Sequence, residues 1–196
     1  MLDKSIPFAG IYMRREPGIP IQGCSLPDGF RFSFYQDGDE TSWARIETSV
    51  LEFDSEFAAI LLFNEKFMPH RDELYRRCFF VESEGGRKVA TATAWWSLIQ
   101  GQRRAWVEWV AVMPDYQGLG LGKAVIARVT KILTELEGDV PLYLHTQTWS
   151  HKAIGIYRAC GYELLSEKAL YRNKRDNYKK AMRILKRIER GKNNRT

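Results

Sequence analysis

The chain predicts an α/β fold built on a mixed sheet, preceded by an arm and followed by an amphipathic helix. Three observations carry this reading. First, an apolar, β-branched run at 107–112 passes through Pro114 and a glycine-rich turn at 117–122 into a helix. That helix places Val125, Val129, Ile132 and Leu136 on one face and stops at Gly138. Second, residues 140–148 read as the next strand, so strand, helix and strand form a crossover that makes the two strands parallel. Third, Glu84-Gly85-Gly86-Arg87 joins two upstream strands, 78–83 and 88–96, as a hairpin. Gly101 then turns the second of these into the 107–112 strand, giving an antiparallel meander beside the parallel pair.

The elements before the meander follow from spacing. Residues 1–26 hold Pro7, Pro17, Pro20, Gly10, Gly18 and Gly23 with little periodicity, and read as an extended arm over the surface. Phe30, Phe32 and Phe34 alternate along a half-buried strand. Asp37-Gly38-Asp39 turns the chain, with Asp39 as the N-cap of a helix over 40–51. Trp43, Ile46 and Val50 share that helix's apolar stripe with Glu47. Glu47 is thus either a buried acid bonded to a backbone donor or a carboxylate facing a substrate amine. Asp54-Ser55 caps a second helix carrying Phe57, Ile60, Leu61 and Phe67, which ends before Pro69. A short helix or turn spans 70–77.

Past the meander, Ser150 stands where a cap is needed for a helix over 151–160, which Gly161 closes. Residues 162–165 make a last strand. From Asn173 the chain reads as an amphipathic helix with Tyr178, Met182, Leu185 and Ile188 in line, stopped by Gly191. The expected organisation is an arm (1–27), one domain (28–171) and a basic C-terminal helix docked on it (172–196).

Composition sets the bounds. The 196 residues suffice for one well-buried domain with extensions. No apolar run approaches the ~18 residues of a membrane span, and the first residues lack the pattern of a signal peptide. Three unclustered cysteines, Cys24, Cys78 and Cys160, suit a reducing cytosol, so a cytoplasmic location is expected. The net charge of +6 is uneven. Residues 168–196 hold 12 Lys/Arg against two acids, whereas 1–167 hold 18 basic against 22 acidic groups. A solvated helix docked on the domain accounts for the basic tail. An acidic partner, a membrane surface or nucleic acid is the sharper alternative, and nucleic acid is disfavoured because terminal Lys/Arg also complement the helix dipole.

The turn at 117–122 carries the chemistry. Gly118, Gly120 and Gly122 lack a Cβ, which permits positive φ and close approach of a ligand. The unpaired N–H groups at the head of the following helix form an anion site suited to phosphate. A Walker loop fails, because only three residues separate Gly118 from Gly122 and Ala124 follows Lys123. A dinucleotide fingerprint fails on its Gly-x-Gly-x-x-Gly spacing. The pattern met is Gln/Arg-x-x-Gly-x-Gly/Ala, through Gln117, Gly120 and Gly122. It resembles the pyrophosphate loop of the GNAT superfamily of acyl-CoA-dependent N-acyltransferases. Ala153, Tyr157, Gly161 and Tyr162 resemble that family's Ala-x-x-x-Tyr-x-x-x-Gly-Phe/Tyr element, and the resemblance covers about 28–165.

The resemblance implies a centrally splayed sheet and acetyl-CoA as cosubstrate, held by Gln117, Gly118, Leu119, Gly120, Leu121, Gly122 and Lys123. It implies that Val110, Ala111 and Val112 pair their backbone with the pantetheine arm as an added strand. It carries Tyr157 to the CoA sulfur as general acid. Ser150 stands where the family often has Asn; serine has shorter reach and no amide for the CoA arm.

Glu108 is the general-base candidate, a carboxylate in an apolar strand, expected on one face with Val110 and Val112. Its bland alternative is a pair with Arg103 or Arg104. His70, His145 and His151 show neither metal spacing nor a paired nucleophile, so direct transfer without a metal is expected. The expected activity is transfer of acetyl from acetyl-CoA to a primary amine on a small molecule or peptide. A CoA-binding regulatory module without turnover, or a nucleic-acid-associated protein, is the rival reading; a homodimer stays open.

Overall fold

A computed structural model of the chain describes residues 2–21, 25–171 and 177–193. Its strands are β1 (Gly10–Arg15), β2 (Phe30–Phe34), β3 (Cys78–Ser83), β4 (Lys88–Ile99), β5 (Gln102–Val112), β6 (Leu142–Gln147) and β7 (Tyr162–Leu165). They form one mixed sheet in the order β2-β3-β4-β5-β6-β1-β7. The helices are α1 (Glu40–Ser49), α2 (Glu56–Lys66), α3 (Arg71–Arg77), α4 (Leu121–Glu137), α5 (His151–Ala159) and α6 (Tyr178–Asn193).

Strands β2 to β5 are the expected antiparallel meander. Gln100 and Gly101, at φ 52° and 76°, make the tight turn between β4 and β5. Strand β6 returns parallel to β5, as the crossover through α4 requires. The two faces of the sheet are covered by different helices. On one, Phe67 at the end of α2 meets Trp95 edge-on at 4.9 Å, and Trp43 of α1 packs on Trp109 at 5.4 Å. On the other, Arg77 of α3 donates to the Ala94 carbonyl at 3.1 Å, and Arg128 of α4 lies over the rings of Phe32 and Phe34.

The first 27 residues are more than a surface arm. Within them, β1 lies inside the sheet, antiparallel to β6 on one side and β7 on the other. Ile11 and Met13 enter the main core, while Tyr12 joins Trp106, Tyr143 and Leu170 in a second cluster. A strand buried on both faces has no polar alternation to announce it, and here the flanking prolines mask it further.

Two expected caps differ. Asp39 makes no cap bond; its carboxylate accepts from the Gln36 N–H at 2.8 Å and pairs with Lys88. Ser150 precedes α5 without a side-chain cap bond. Ser55 does cap α2, accepting from the Ala58 N–H at 3.2 Å.

Helix α6 begins at Tyr178 and runs through Gly191 to Asn193. An interior glycine costs about 1 kcal/mol against alanine, which a last turn tolerates. The helix packs on β1, with Ala181, Ile184 and Leu185 buried. Asn173, where the sequence pattern starts it, lies outside the described residues. No helix among the described residues is long and apolar enough to cross a membrane.

Candidate active site

The sheet opens between β5 and β6. Their pairing holds for three positions only, Ala105 with Leu142, Trp106 with Tyr143 and Val107 with Leu144. Beyond Leu144, β6 continues alongside β1, and beyond Val107, β5 continues alongside β4. The edge of β5 from Glu108 to Val112 is therefore left without a strand on the β6 side, and Val110, Ala111 and Val112 lie on it. A row of unpaired backbone groups is a template for an extended chain.

The glycine-rich turn stands at the end of this edge. A 3₁₀ turn, Pro114–Tyr116, leads out of β5. The Gln117 side-chain amide donates back to the Val112 carbonyl at 2.9 Å, tying the turn to the strand end. Among the described residues, the N–H groups of Gly118, Leu119, Gly120, Leu121 and Gly122 have no hydrogen-bond partner. They gather at the head of the 17-residue helix α4, where the positive end of its dipole adds to them. The Lys123 N–H is already used, donating to the Gly120 carbonyl at 3.2 Å. Leu121 anchors the turn in the core at 1% exposure, and Leu119 points out.

The three glycines divide the work differently than expected. Gly118 and Gly120 hold φ of 86° and 85°, which a side chain rarely adopts. Gly122 has no positive φ; a Cβ there would meet Ile156 Cδ1 at 3.1 Å. Its role is close packing of α4 on α5, which also sets Tyr157 relative to the turn. Free N–H groups, an open strand edge and this packed α5 together fit the pyrophosphate and arm of acetyl-CoA.

Glu108 is the first residue past the last β5–β6 pair. It does not share a face with Val110 and Val112. Thr93 pairs with Glu108 but Thr91 pairs with Ala111, so β5 carries one extra residue, a bulge, with Trp109 at φ 49°. One extra residue reverses the alternation, so Glu108 and Ala111 share the α1–α2 face. Nor does Glu108 pair with an arginine of its own strand. Lys66, the last residue of α2, holds it at 2.7 Å. Arg103 pairs with Glu137 at 2.8 Å, and Arg104 bonds Gln102. Burial raises the Glu108 carboxyl above the ordinary glutamate range, and the charge and hydrogen bond of Lys66 oppose that rise.

Tyr157 is 6% exposed, with its ring 6.3 Å from that of Tyr162. Its hydroxyl makes no hydrogen bond among the described residues. Burial pushes the phenol above its usual range, and the charges of Glu47 and Glu52 add to this. It therefore stays protonated at ordinary pH and can donate to a leaving thiolate.

Glu47 faces inward at 1% exposure, and its Oε1 has no hydrogen-bond partner among the described residues, so the backbone donor expected for a structural acid is missing. Burial, then the charge of Glu52, raises its carboxyl well above the ordinary range. Other buried side-chain atoms without a hydrogen-bond partner among the described residues include the indole nitrogens of Trp43 and Trp109 and the hydroxyl of Thr48.

Three participants at the opening escape a reading of sequence. Lys66 lies 42 residues from its partner Glu108, and no local pattern joins them. Gln147 donates to Glu52 Oε1 at 3.1 Å, linking the end of β6 to the α1–α2 loop. The N-terminal residues brace that junction: the Leu2 N–H donates to the Val50 carbonyl and the Asp3 N–H to that of Trp149.

A strand edge opened by a neighbour's departure, with a helix head of free N–H groups at its end, is the arrangement that the resemblance to the GNAT superfamily implied. Residues 34–162 match the acetyltransferase (GNAT) family, and the chain belongs to that family. Among solved structures it is similar to a GCN5-related N-acetyltransferase from Sphaerobacter thermophilus, with a TM-score of 0.64 at 18% identity, over 82% of this chain and 49% of that one. A GNAT-family acetyltransferase from Colwellia psychrerythraea gives a TM-score of 0.59 at 12% identity, over 81% and 54%. A tandem GNAT protein from the clavulanic acid biosynthesis pathway gives 0.57 at 15% identity, over 83% and 51%. The chain spans about half the length of these proteins. At such identities the likeness is one of fold.

Proposed function

We propose that the chain is an N-acetyltransferase that moves acetyl from acetyl-CoA directly to a primary amine of a small molecule or peptide. The observation that carries this reading is the opening between β5 and β6, with an unpaired strand edge running into five free N–H groups. In this reading the turn binds the pyrophosphate and the edge at Val110–Val112 binds the arm. A backbone N–H of that edge stabilises the carbonyl oxygen as it gains charge, an effect worth about 3–4 kcal/mol at known sites.

Glu108, with its raised proton affinity, takes the proton of the attacking amine. Tyr157, held protonated by burial, returns one to the departing sulfur. Membership of an acetyltransferase family supports turnover over a module that only binds CoA, as do the presence of Glu108 on the open strand edge and of Tyr157 on α5, which packs on the turn through Ile156 and Gly122.

The test is release of free thiol from acetyl-CoA across a panel of amines: polyamines, aminoglycosides, lysine peptides and peptide N-termini. The negative body of residues 1–167 favours a cationic acceptor by steering. Thiol release that depends on one amine class is expected. Acetyl-CoA binding without amine-dependent release from any acceptor would favour the binding-module reading.

A further inference from the structure

The amine nearest the candidate base belongs to the protein itself. Lys66 Nζ lies 2.7 Å from Glu108 Oε1. It also sits 6.0 Å from the centre of the Trp109 ring and 5.7 Å from that of Phe67. Trp109 is the bulged residue immediately before Val110, on the unpaired edge of β5 that begins at Glu108. Glu108 and Trp109 both belong to the unpaired edge of β5, and Val110 follows Trp109 by one strand step of about 3.3 Å, so the ammonium is held against the same edge that is assigned to the acyl end of the cosubstrate.

The Lys66 side chain is one-third exposed, at 33%, and terminates α2, so its flexible four-carbon stem is free to turn. The other charged side chains of α2, Glu56 and Glu65, are not paired with Lys66, and Glu108 is its one ion-pair partner among the described residues.

We propose that Lys66 is an internal acetyl acceptor, modified by the same site that serves external amines. This rests on the acyl-transfer reading above. The Lys66 ammonium gives a proton to Glu108, and the neutral nitrogen attacks the thioester carbonyl carbon. A C–N bond forms and the C–S bond breaks. Of the two protons the ammonium loses in becoming an amide, one passes through Glu108 to solvent and the other ends on the CoA sulfur. The products are Nε-acetyl-Lys66 and CoA, with acetyl-CoA as the only co-reactant.

The modification has a consequence for the base. An acetylated lysine carries no charge and no ion pair. Glu108 then loses the one contact that lowers its proton affinity and becomes free for an external amine. Lys66 acts as both first substrate and plug.

The test is incubation of the purified protein with acetyl-CoA and no amine, followed by peptide mass spectrometry at timed intervals. Lys66 should gain acetyl at a first-order rate independent of protein concentration, ahead of the exposed Lys123 and Lys131 by roughly 10²-fold, the usual worth of a placed base. K66R, which keeps the cation beside Glu108, should lose that fast label. E108Q should slow Lys66 labelling to the rate of the exposed lysines. In the acetylated protein the acid limb of external-amine turnover should move to higher pH.

Labelling of Lys66 no faster than Lys123, in protein that still acetylates an external amine, overturns this proposal and leaves the activity standing. Protein that neither binds nor consumes acetyl-CoA overturns both.

Discussion

Three side chains at the candidate site, Glu108, Tyr157 and Glu47, have proton affinities raised first by burial and only then adjusted by neighbours. Glu108 is the exchangeable one. As the proposed base, Glu108 with its raised proton affinity should put the acid limb of turnover above the ordinary glutamate pKa of about 4.3. Glu108→Gln keeps size and hydrogen bonding but cannot take a proton, so turnover should fall by roughly 10²-fold with the acid limb gone and acetyl-CoA binding little changed. Tyr157→Phe should lower turnover similarly. Because burial raises the phenol, its alkaline limb belongs above the usual tyrosine range of about 10, and wild-type rate should hold through about pH 9. Profiles of rate against pH check both variants.

Glu47 makes stability depend on pH. Its folded-state proton affinity is raised, so the folded state gains from the proton and loses that gain as pH rises through the folded pKa. The contribution of Glu47 should therefore make wild-type stability decline as pH rises from the ordinary glutamate range through its raised folded pKa. The slope is about 1.4 kcal/mol for each pH interval of one in which the folded state alone keeps the proton. Glu47→Gln should flatten that decline, and denaturant midpoints at several pH values would show it. Glu47, Glu108 and Tyr157 are all visible in the sequence, as charge in an apolar stripe, charge in an apolar strand, and a phenol at a motif position. Their partners are not, since Lys66 and Glu52 reach them only through the packing of α2 and the α1–α2 loop.

At the scale of the element, the turn before α4 combines two kinds of glycine. Gly120→Val meets strain at φ 85° and puts bulk beside the free N–H groups, so the rise in melting temperature given by acetyl-CoA should vanish. Gly122→Ala meets only the mobile end of Ile156, at 3.1 Å, and should keep most of that rise. Thermal shift with and without acetyl-CoA separates them. The strand–turn–helix order is legible because its punctuation is local. The bulge at Trp109 is not: no glycine or proline marks it, and it appears only as a slip in register against β4. That slip moves Glu108 away from the face that simple alternation assigns.

For the whole molecule, segments far apart in the chain complete the fold, with β1 entering the sheet between β6 and β7 and α6 packing on β1. Helix α6 buries Ala181, Ile184 and Leu185 on that part of the fold. Fully burying an Ile or Leu side chain is worth about 1.5–3 kcal/mol, so truncation before Tyr178 should lower the melting temperature by several degrees. Salt-sensitive binding of nucleic acid that disappears with the truncation, while stability holds, would instead make α6 a binding arm. The meander and the crossover are readable from turns and periodicity, and together they define the α/β class. The seventh strand is hidden, because β1 carries neither alternation nor a neighbour close in sequence.

That hidden strand imposes an order on assembly. Gly10 pairs with Gln147, and Arg15 with Tyr162, so the first strand of this sheet must wait for its last two. During synthesis, the meander from β2 to β5 has all its partners within reach and can form first. Ile11 and Met13 meanwhile have no sheet to enter until α4, β6 and β7 have left the ribosome. Pairings this distant along the chain form slowly, since the loop must close before any contact rewards it. The nascent chain therefore carries an apolar strand with both edges unpaired until β6 and β7 emerge, the state in which an emerging polypeptide is most open to capture by a chaperone or by another copy of itself.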